Sequence, residues 1–424
     1  MKQFILFIYL LLMVKISPAQ NDISEKGRDT LRLTISEAET MFLNKNLDLI
    51  AQRFSIDSAK ATVITARLFD NPELDFSNAF YNPDSHNFFG PEVSAQISQL
   101  IRLAGKRKKA VNFAKSGVDV AQFQFYDLMR TLRFILRNDF YNIYFLQQSA
   151  GVYETEIASL KDIVSAYREQ VNKGNIAPAD LLRIQSQLYT LEAEYNNLQT
   201  NINQIQIEFK GMIRANPLQY FLPEPDLNDL NENAVSATSY QALIDSAMIN
   251  RPDLKALNAG IDQSKYNLVL QKSYATPDIT VNANYDRLGS YIRNYNAIGI
   301  SVPLPLFNRN QGNIQNARVQ LDVSKTIYEA EMDKVKNEVT ANYITALQSQ
   351  KLLQSIDPRF QDNMKKLIEQ VTLNFQKRNI SILEFLDHYD AYKQNVLQIN
   401  ELRFNEMSAL EQLNLSIGKT LFNK

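Results

Sequence analysis

The chain carries one pattern of landmarks twice, and this duplication restricts the fold more than any other feature. Three pairs of segments share an offset of 203 to 205 residues. They are Asn71–Phe76 with Thr276–Val281, Ile97–Leu103 with Ile300–Leu306, and Gly174–Ile176 with Arg378–Ile380. Landmarks in the same order at a nearly constant offset indicate two copies of one structural unit. We expect a first repeat at 20–213, a Pro-containing linker at 214–237 and a second repeat at 238–424.

Each repeat contains two amphipathic strands. Residues 70–103 and 277–306 alternate apolar and polar side chains with a period of two, which predicts a β-hairpin in each copy. The strands are about ten residues long, the length at which a tilted β-strand crosses a membrane. Their polar face includes Asp75, Ser77, Ser94, Thr280, Asn282 and Asn284.

The rest of each repeat is predicted to be unusually long helix. A first helix is expected from about Ile35 to Phe69. No Pro occurs from Ala104 to Lys173, so this stretch would form a helix about 105 Å long. From Leu181 to Met212, apolar residues recur at alternating spacings of three and four, which indicates coiled-coil packing. We therefore expect long helical hairpins at 104–213 and 307–418.

The first residues are typical of an export signal. Lys2 precedes an apolar run from Phe4 to Val14, and Ser17-Pro18-Ala19 places small residues before a cleavage site ahead of Gln20. We expect residues 1–19 to be removed. The chain contains no Cys, so the mature protein is expected to lack a lipid anchor on an N-terminal Cys, and thiolate metal sites are excluded.

No pattern in the sequence is typical of a catalytic, cofactor or metal site. His86 is expected at the surface of a loop, and His388 lies on the last predicted helix. Gly418-Lys419-Thr420 lacks the remainder of a phosphate-binding loop. The formal net charge is −1, which does not favour a nucleic-acid partner. We therefore expect no enzyme, no cofactor and no nucleic-acid binding.

Two hairpins are too few to close a barrel on their own. Open strand edges leave backbone groups unpaired, which is costly in a membrane. The smallest membrane barrels have about eight strands. Four strands per chain therefore predict self-association, and three chains would supply twelve strands. The alternative at this point is a soluble β-domain whose polar face meets bulk water.

These features together resemble the TolC-like outer-membrane efflux family. The resemblance covers nearly the whole mature chain. It is carried by the tandem repeat and by Asn71-Pro72-Glu73-Leu74, the run from Ile97 to Arg107, Gly174-Asn175-Ile176 with Asp180-Leu181-Leu182, and Arg251-Pro252-Asp253-Leu254. The run from Ile300 to Gly312 is similar to the heavy-metal branch of the family, the outer-membrane partners of RND-type cation efflux pumps.

The resemblance implies a mainly α-helical tandem-repeat fold with a membrane β-domain. A homotrimer would form a twelve-stranded β-barrel in the outer membrane, continuous with a long α-helical barrel in the periplasm. This passive conduit would join a periplasmic membrane-fusion adaptor and an inner-membrane RND pump, and would export heavy-metal cations. Two alternatives stay open. One is a channel for drugs or for a type I secreted polypeptide, and the other, of a different class, is a secreted coiled-coil scaffold or adhesin.

The resemblance also assigns candidate sites. The hairpin tips Gly174-Asn175-Ile176 and Arg378-Asn379-Ile380 would dock the adaptor. Asp180, Glu384 and Asp387 would line the periplasmic entrance as rings of carboxylates. The family commonly has Gly where this chain has Arg378, which is a departure from the pattern.

Two of the entrance acids have a local alternative. Glu384 follows Ser381 with the spacing of a capping box. Asp180 lies in the first helical turn after Pro178, where the helix dipole favours acids. Both residues are therefore also predicted as helix-capping groups.

One dense basic run occurs, at Lys106-Arg107-Lys108-Lys109. It lies where the first hairpin meets its long helix, so it opposes the helix dipole. If the hairpin spans a membrane, the run lies at the inner rim, and outer-membrane lipid is its expected partner. Simple solvation is the alternative.

Overall fold

The computed structural model of the chain describes residues 29–82, 86–89, 92–226, 235–288 and 292–422. The export signal expected at residues 1–19 lies outside the described residues. The strands are β1 (Thr30–Leu33), β2 (Glu73–Asn78), β3 (Tyr81–Asn82), β4 (Asn87–Phe88), β5 (Val93–Ile101), β6 (Tyr220–Pro223), β7 (Ile279–Asp286) and β8 (Tyr295–Ser301). The helices are α1 (Ile35–Lys45), α2 (Leu47–Arg67), α3 (Lys106–Asn172), α4 (Pro178–Ile213), α5 (Tyr240–Asn250), α6 (Pro252–Ser273), α7 (Gln311–Gln354), α8 (Phe360–Gln376) and α9 (Ile382–Ile417).

The first helical segment is two helices, so the prediction of one helix from Ile35 to Phe69 is wrong. The side chain of Asn46 accepts hydrogen bonds from the backbone N–H groups of Asp48 and Leu49, and thereby begins α2. A capping residue takes an extended conformation, here φ −63° and ψ 125°. The chain therefore changes direction between α1 and α2.

Four strands form one antiparallel sheet in the order β2-β5-β7-β8. Strands β5 and β7, one from each repeat, pair from Ser94 opposite Asp286 to Ile101 opposite Ile279. The predicted apolar positions align across the sheet in the row Leu74, Ile97, Ala283 and Ile298. Within the described residues this apolar face has little protein cover, since Leu74 is 73% exposed and Ile298 is 84% exposed.

Each strand of this sheet continues into a helix at the same end. Helices α2, α3, α6 and α7 therefore stand side by side in the order of their strands. Helix α3 has 67 residues and is about 100 Å long. In the second repeat, the helical segment that corresponds to α3 is interrupted. Pro358 lies between α7 and α8, and helical geometry is unfavourable for the residue before a Pro. The segment 307–418 accordingly contains α7, α8 and α9.

The segment expected to be a linker, 214–237, contains a strand. Strand β6 pairs in parallel with β1, from Thr30 opposite Tyr220 to Leu33 opposite Pro223. The buried ring of Phe221 stacks on Phe209 of α4 with 4.3 Å between centroids. This part of the segment therefore belongs to the core of the first repeat.

One buried ion pair and one hydrogen bond to a backbone carbonyl join the two repeats. The guanidinium of Arg137 on α3 donates to Glu39 of α1 and to Glu411 of α9, each at 2.8 Å. Arg130 donates to the carbonyl oxygen of Leu415 at 2.6 Å, which satisfies a backbone acceptor in the last turn of α9. Because a buried charge is stable only with its partners, this network fixes the end of α9 against α3.

Candidate functional site

Both helical hairpins close with the same backbone geometry at their tips. The donor–acceptor pairs are Gly174 N–H to Val171, Asn175 N–H to Gln170, Arg378 N–H to Phe375, and Asn379 N–H to Asn374, all at 2.9 Å. These paired bonds are the Schellman motif that ends many helices. The repeat seen in the sequence is therefore also a repeat of local geometry.

Arg378 takes the conformation that glycine takes at the other tip. The φ angles are +76° at Gly174 and +62° at Arg378. The left-handed region is unfavourable for a residue with a Cβ by about 1 kcal/mol. The second tip therefore carries backbone strain that the first lacks. This strain is the consequence of having Arg378 where the family commonly has Gly.

An aromatic stack lies directly behind the tips. Tyr167 of α3 stacks on Phe375 of α8, with 5.9 Å between ring centroids. Phe375 in turn stacks on Phe385 of α9 at 4.3 Å. Ile380 at the second tip packs against the same cluster. The stack therefore holds the two hairpins together near their tips.

Glu384 lies in the capping box that its spacing predicts. The Ser381 N–H donates to Oε2 of Glu384 at 2.8 Å, and the Glu384 N–H donates to Oγ of Ser381 at 3.3 Å. The hydrogen bond from the Ser381 backbone lowers the pKa of Glu384. Asp180 lies in the first turn of α4, two residues after Pro178, as predicted. Glu384 thus caps its helix, whereas Asp180 forms no capping hydrogen bond and favours the start of α4 only through the helix dipole.

Asp387 lies one turn beyond the capping box on α9. Its side chain is exposed, and it forms no hydrogen bond or ion pair with another residue of the described ranges. Of the three predicted entrance acids, Asp387 is therefore the one without a local structural role.

A buried charged cluster farther along the hairpins was missed by the sequence analysis. Glu156 on α3 is 2% exposed, and its Oε1 has no hydrogen-bond partner. Burial raises the pKa of Glu156 to about 8; Asp390 and Glu194 add to the rise, and Lys393 opposes it. Lys393 of α9 donates to Glu194 of α4 at 2.9 Å.

The available signal for this cluster was the position of Glu156. It lies among Tyr153, Ile157 and Leu160, which form the apolar stripe of α3. A charged residue on such a stripe either has a buried partner or is held neutral. The pairing with α9 required knowledge of the tertiary structure.

The basic run does not act as one unit. Lys106 is 3% exposed, and its ammonium donates to the carbonyl oxygen of Thr276 at 2.6 Å and to Asp278 at 2.7 Å. The expectation of lipid contact is therefore wrong for Lys106, whose partners are internal. The guanidinium of Arg107 lies 3.6 Å from the ring centroid of Phe69. Lys108 is exposed and Lys109 is half-buried.

Within the described ranges, no group of three or more His, Asp or Glu side chains is placed to hold a metal ion. Among the helices that the structure describes, none combines the length and the apolar character needed to cross a membrane.

The fold defines a class of protein: a duplicated chain in which an open antiparallel sheet continues into long helical hairpins with matching tips. The chain belongs to the outer membrane efflux protein family, whose model matches residues 40–213 and 243–419. The resemblance inferred from the motifs is thereby confirmed. Members of this family are passive efflux channels of the outer membrane and not enzymes.

Known proteins similar to this chain include metal-resistance and drug-export proteins. The cobalt-zinc-cadmium resistance protein CzcC of Cupriavidus metallidurans is 23% identical over 361 residues, 84% of this chain and 82% of that protein. The toxin and drug export protein A of Aggregatibacter actinomycetemcomitans is 21% identical over 282 residues, 64% of this chain and 60% of that protein.

Solved structures show the same fold. The outer membrane channel CmeC of Campylobacter jejuni superposes with a TM-score of 0.72 at 14% identity, covering 92% of this chain and 86% of that one. CusC gives a TM-score of 0.72 at 14% identity, covering 91% of this chain and 92% of that one.

Proposed function

We propose that this chain is the outer-membrane component of a tripartite export system and works as a homotrimer. The observation that carries the proposal is the open sheet. Among the described strands, β2 and β8 each pair on one side only, and the apolar face between them is exposed. Three such sheets joined edge to edge give a closed ring of twelve strands, which removes unpaired backbone from the membrane.

The helices at the two edges support the same assembly. Helix α2 exposes Leu47 and Phe54, and Leu68 directly after its last residue is also exposed. Helix α7 exposes Val319, Val323 and Ile327. Because α2 and α7 are the outermost helices of the row, these apolar stripes lie where neighbouring copies would meet. Apolar surfaces of this kind mark interaction sites in soluble segments.

The periplasmic partners are a membrane-fusion adaptor and an inner-membrane RND pump. The matching tips, Gly174–Ile176 and Arg378–Ile380, are the proposed adaptor-docking elements. Asp387 is the proposed principal acid of the entrance. Asp180 and Glu384 contribute charge there, and Glu384 also caps its own helix. Rings of carboxylates at a pore entrance favour cations.

Heavy-metal cations are the proposed cargo. The run from Ile300 to Gly312 and the similarity to a cobalt-zinc-cadmium resistance protein support this choice. The similarity to a toxin and drug export protein keeps drugs or polypeptides as the second candidate. Residues 1–19 are the proposed export signal, with cleavage before Gln20, which fits an outer-membrane location.

Accumulation measurements separate the two cargo classes. A strain in which this gene is disrupted should retain more Zn²⁺, Co²⁺ or Cd²⁺ than the parent and be restored by the intact gene. Retention of an organic dye instead of metal would assign the channel to drug export. No change in either cargo would contradict an export function.

A further inference from the structure

The links between the sheet and its helices form a surface with two kinds of exposed group. The four links are residues 68–72, 102–105, 274–278 and 302–310, and they lie at one end of the sheet. We call this surface the collar. It consists of the link residues Leu68, Phe69, Leu304, Leu306, Phe307 and Arg309, together with Arg67, Arg107, Lys108, Lys109 and Lys272 at the adjoining helix ends. Arg107 and Lys109 are half-buried, and the other members are exposed.

The apolar members of the collar are unusually exposed for side chains of their size. Phe307 is 93% exposed and Phe69 is 77% exposed. Phe69 precedes the edge strand β2, and Phe307 follows the other edge strand, β8. In the proposed trimer, Phe69 of one copy would come near Phe307 of the next, and both rings continue the exposed apolar face of the sheet toward the helices.

The cations of the collar lack anionic partners within the described residues. Two nearby carboxylates are already used, since Asp70 pairs with Arg102 at 2.6 Å and Asp278 pairs with Lys106 at 2.7 Å. The exposed Glu73 at the start of β2 offsets only one of the six collar cations. None of the six collar cations forms an ion pair with a described residue. The collar therefore has an uncompensated positive charge on each chain.

Three of the six collar cations lie at a helix N-terminus, where their charge is unfavourable. The first turn of α3 contains no acid and holds Arg107, Lys108 and Lys109. Cations at a helix N-terminus oppose its dipole. Arg107 also lies over the ring of Phe69, at 3.6 Å from the ring centroid, so the apolar ring and the cation form one unit. An anion brought to this turn would relieve the unfavourable charge.

We infer that the collar binds the headgroups of anionic phospholipids in the leaflet nearest the helices. This inference rests on the proposed function, because it needs the sheet to lie in a membrane. Aromatic rings and basic side chains prefer the boundary between hydrocarbon and headgroups. A basic residue at an anionic surface contributes about fivefold to lipid association. The collar thus prefers phosphatidylglycerol over a zwitterionic lipid.

The chain contains no Trp, so a single introduced Trp reports on its own surroundings. The full-length variant Phe307→Trp is reconstituted in vesicles that contain either brominated phosphatidylglycerol or brominated phosphatidylcholine, which quench nearby Trp. We expect an association ratio of about fivefold or more in favour of the anionic lipid at low ionic strength. Adding Lys108→Gln and Lys109→Gln removes two of the six collar cations and should lower this ratio.

A matched control exists in the second repeat. Lys365→Gln with Lys366→Gln removes the same charge from adjacent exposed residues of α8, far from the sheet, and should leave the ratio unchanged. Equal quenching by both lipids in the Phe307→Trp protein would overturn the inference. So would competition by soluble glycerol phosphate at equal phosphate concentration, because the site would then take a free phosphate.

A second Trp position separates this inference from the function on which it rests. Ile298→Trp places the reporter on the apolar face of the sheet. Quenching at Ile298→Trp without quenching at Phe307→Trp would keep the membrane sheet and reject the collar. Absence of quenching at Ile298→Trp would reject the membrane sheet itself.

Discussion

Nζ of Lys106 lies 2.7 Å from Oδ1 of Asp278, and this buried pair joins the two repeats where the sheet meets the helices. The same oxygen of Asp278 accepts the backbone N–H of Leu103 at 2.8 Å. Lys106 begins α3, and Asp278 immediately precedes β7. One ion pair therefore fixes the start of α3 in the first repeat against the start of β7 in the second.

Lys106→Met should lower the stability of the protein by about 3 kcal/mol, because it leaves Asp278 without its cation in a partly buried position. Thermal unfolding of the detergent-solubilised protein measures this as a lower midpoint. The exposed pair Lys60–Asp57 is the control, and Lys60→Met should change the midpoint little. Equal effects of the two substitutions would contradict a structural role for the Lys106–Asp278 pair.

Glu156→Gln should change how stability depends on pH. The folded-state pKa of Glu156, about 8, lies above its ordinary value because of burial. The folded protein therefore holds this proton more tightly than the unfolded chain, and stability is lost as pH rises from about 5 to about 8, by up to about 1.4 kcal/mol per pH unit. Asp139, with a pKa raised by burial to about 7, adds a loss of the same sign.

Comparing the wild-type protein with Glu156→Gln separates the contribution of Glu156 from that of Asp139. Unfolding midpoints should coincide near pH 5, and the variant should be the more stable protein at pH 9. A difference that is the same at all pH values would show that Glu156 does not titrate in this range.

Substitution of the residue with left-handed φ should change the stability of the protein in opposite directions at the two tips. Arg378→Gly removes the strain of a Cβ at φ +62° and should stabilise the protein by about 1 kcal/mol. Gly174→Ala introduces the same strain at φ +76° and should destabilise it by about as much. Gly151→Ala, in the middle of α3 with open space around the added Cβ, should be stabilising. Destabilisation by Arg378→Gly would contradict the tip geometry.

Asp387 should contribute to ion selectivity, whereas the cap formed by Ser381 and Glu384 should contribute to stability. Asp387→Asn should reduce the preference for cations in a planar bilayer, measured as a shift of the reversal potential under a salt gradient. Ser381→Ala should lower stability by about 1 kcal/mol through loss of the cap, and should leave the reversal potential unchanged. If Asp387→Asn leaves the reversal potential unchanged, the entrance lies elsewhere.

The sequence predicted the repeat, the strand faces and the unbroken helix α3, because each is encoded by a local period or by absence of Pro. Leu74 and Ile298 lie in one apolar row, as their alternation required. The capping box at Ser381 followed from spacing alone. The break at Asn46 was missed, since one Asn in a helical pattern does not show which backbone donors it will cap.

Pairings between distant parts of the chain could not be predicted in the same way. The parallel pairing of Thr30 with Tyr220 depends on where α3 and α4 bring the linker. The burial of Lys106 was hidden because its neighbours Arg107, Lys108 and Lys109 have the same charge, and only the position of Asp278 distinguishes it. The elevated pKa of Glu156 likewise depends on packing against α4 and α9.

Single-channel recording shows whether the trimer forms an open channel in a membrane. Protein purified from detergent-solubilised membranes and added to a planar lipid bilayer should insert and give uniform stepwise conductance, with the oligomer running as a trimer before insertion. A protein that is released from cells without detergent, and that produces no conductance steps at any concentration, would contradict the account.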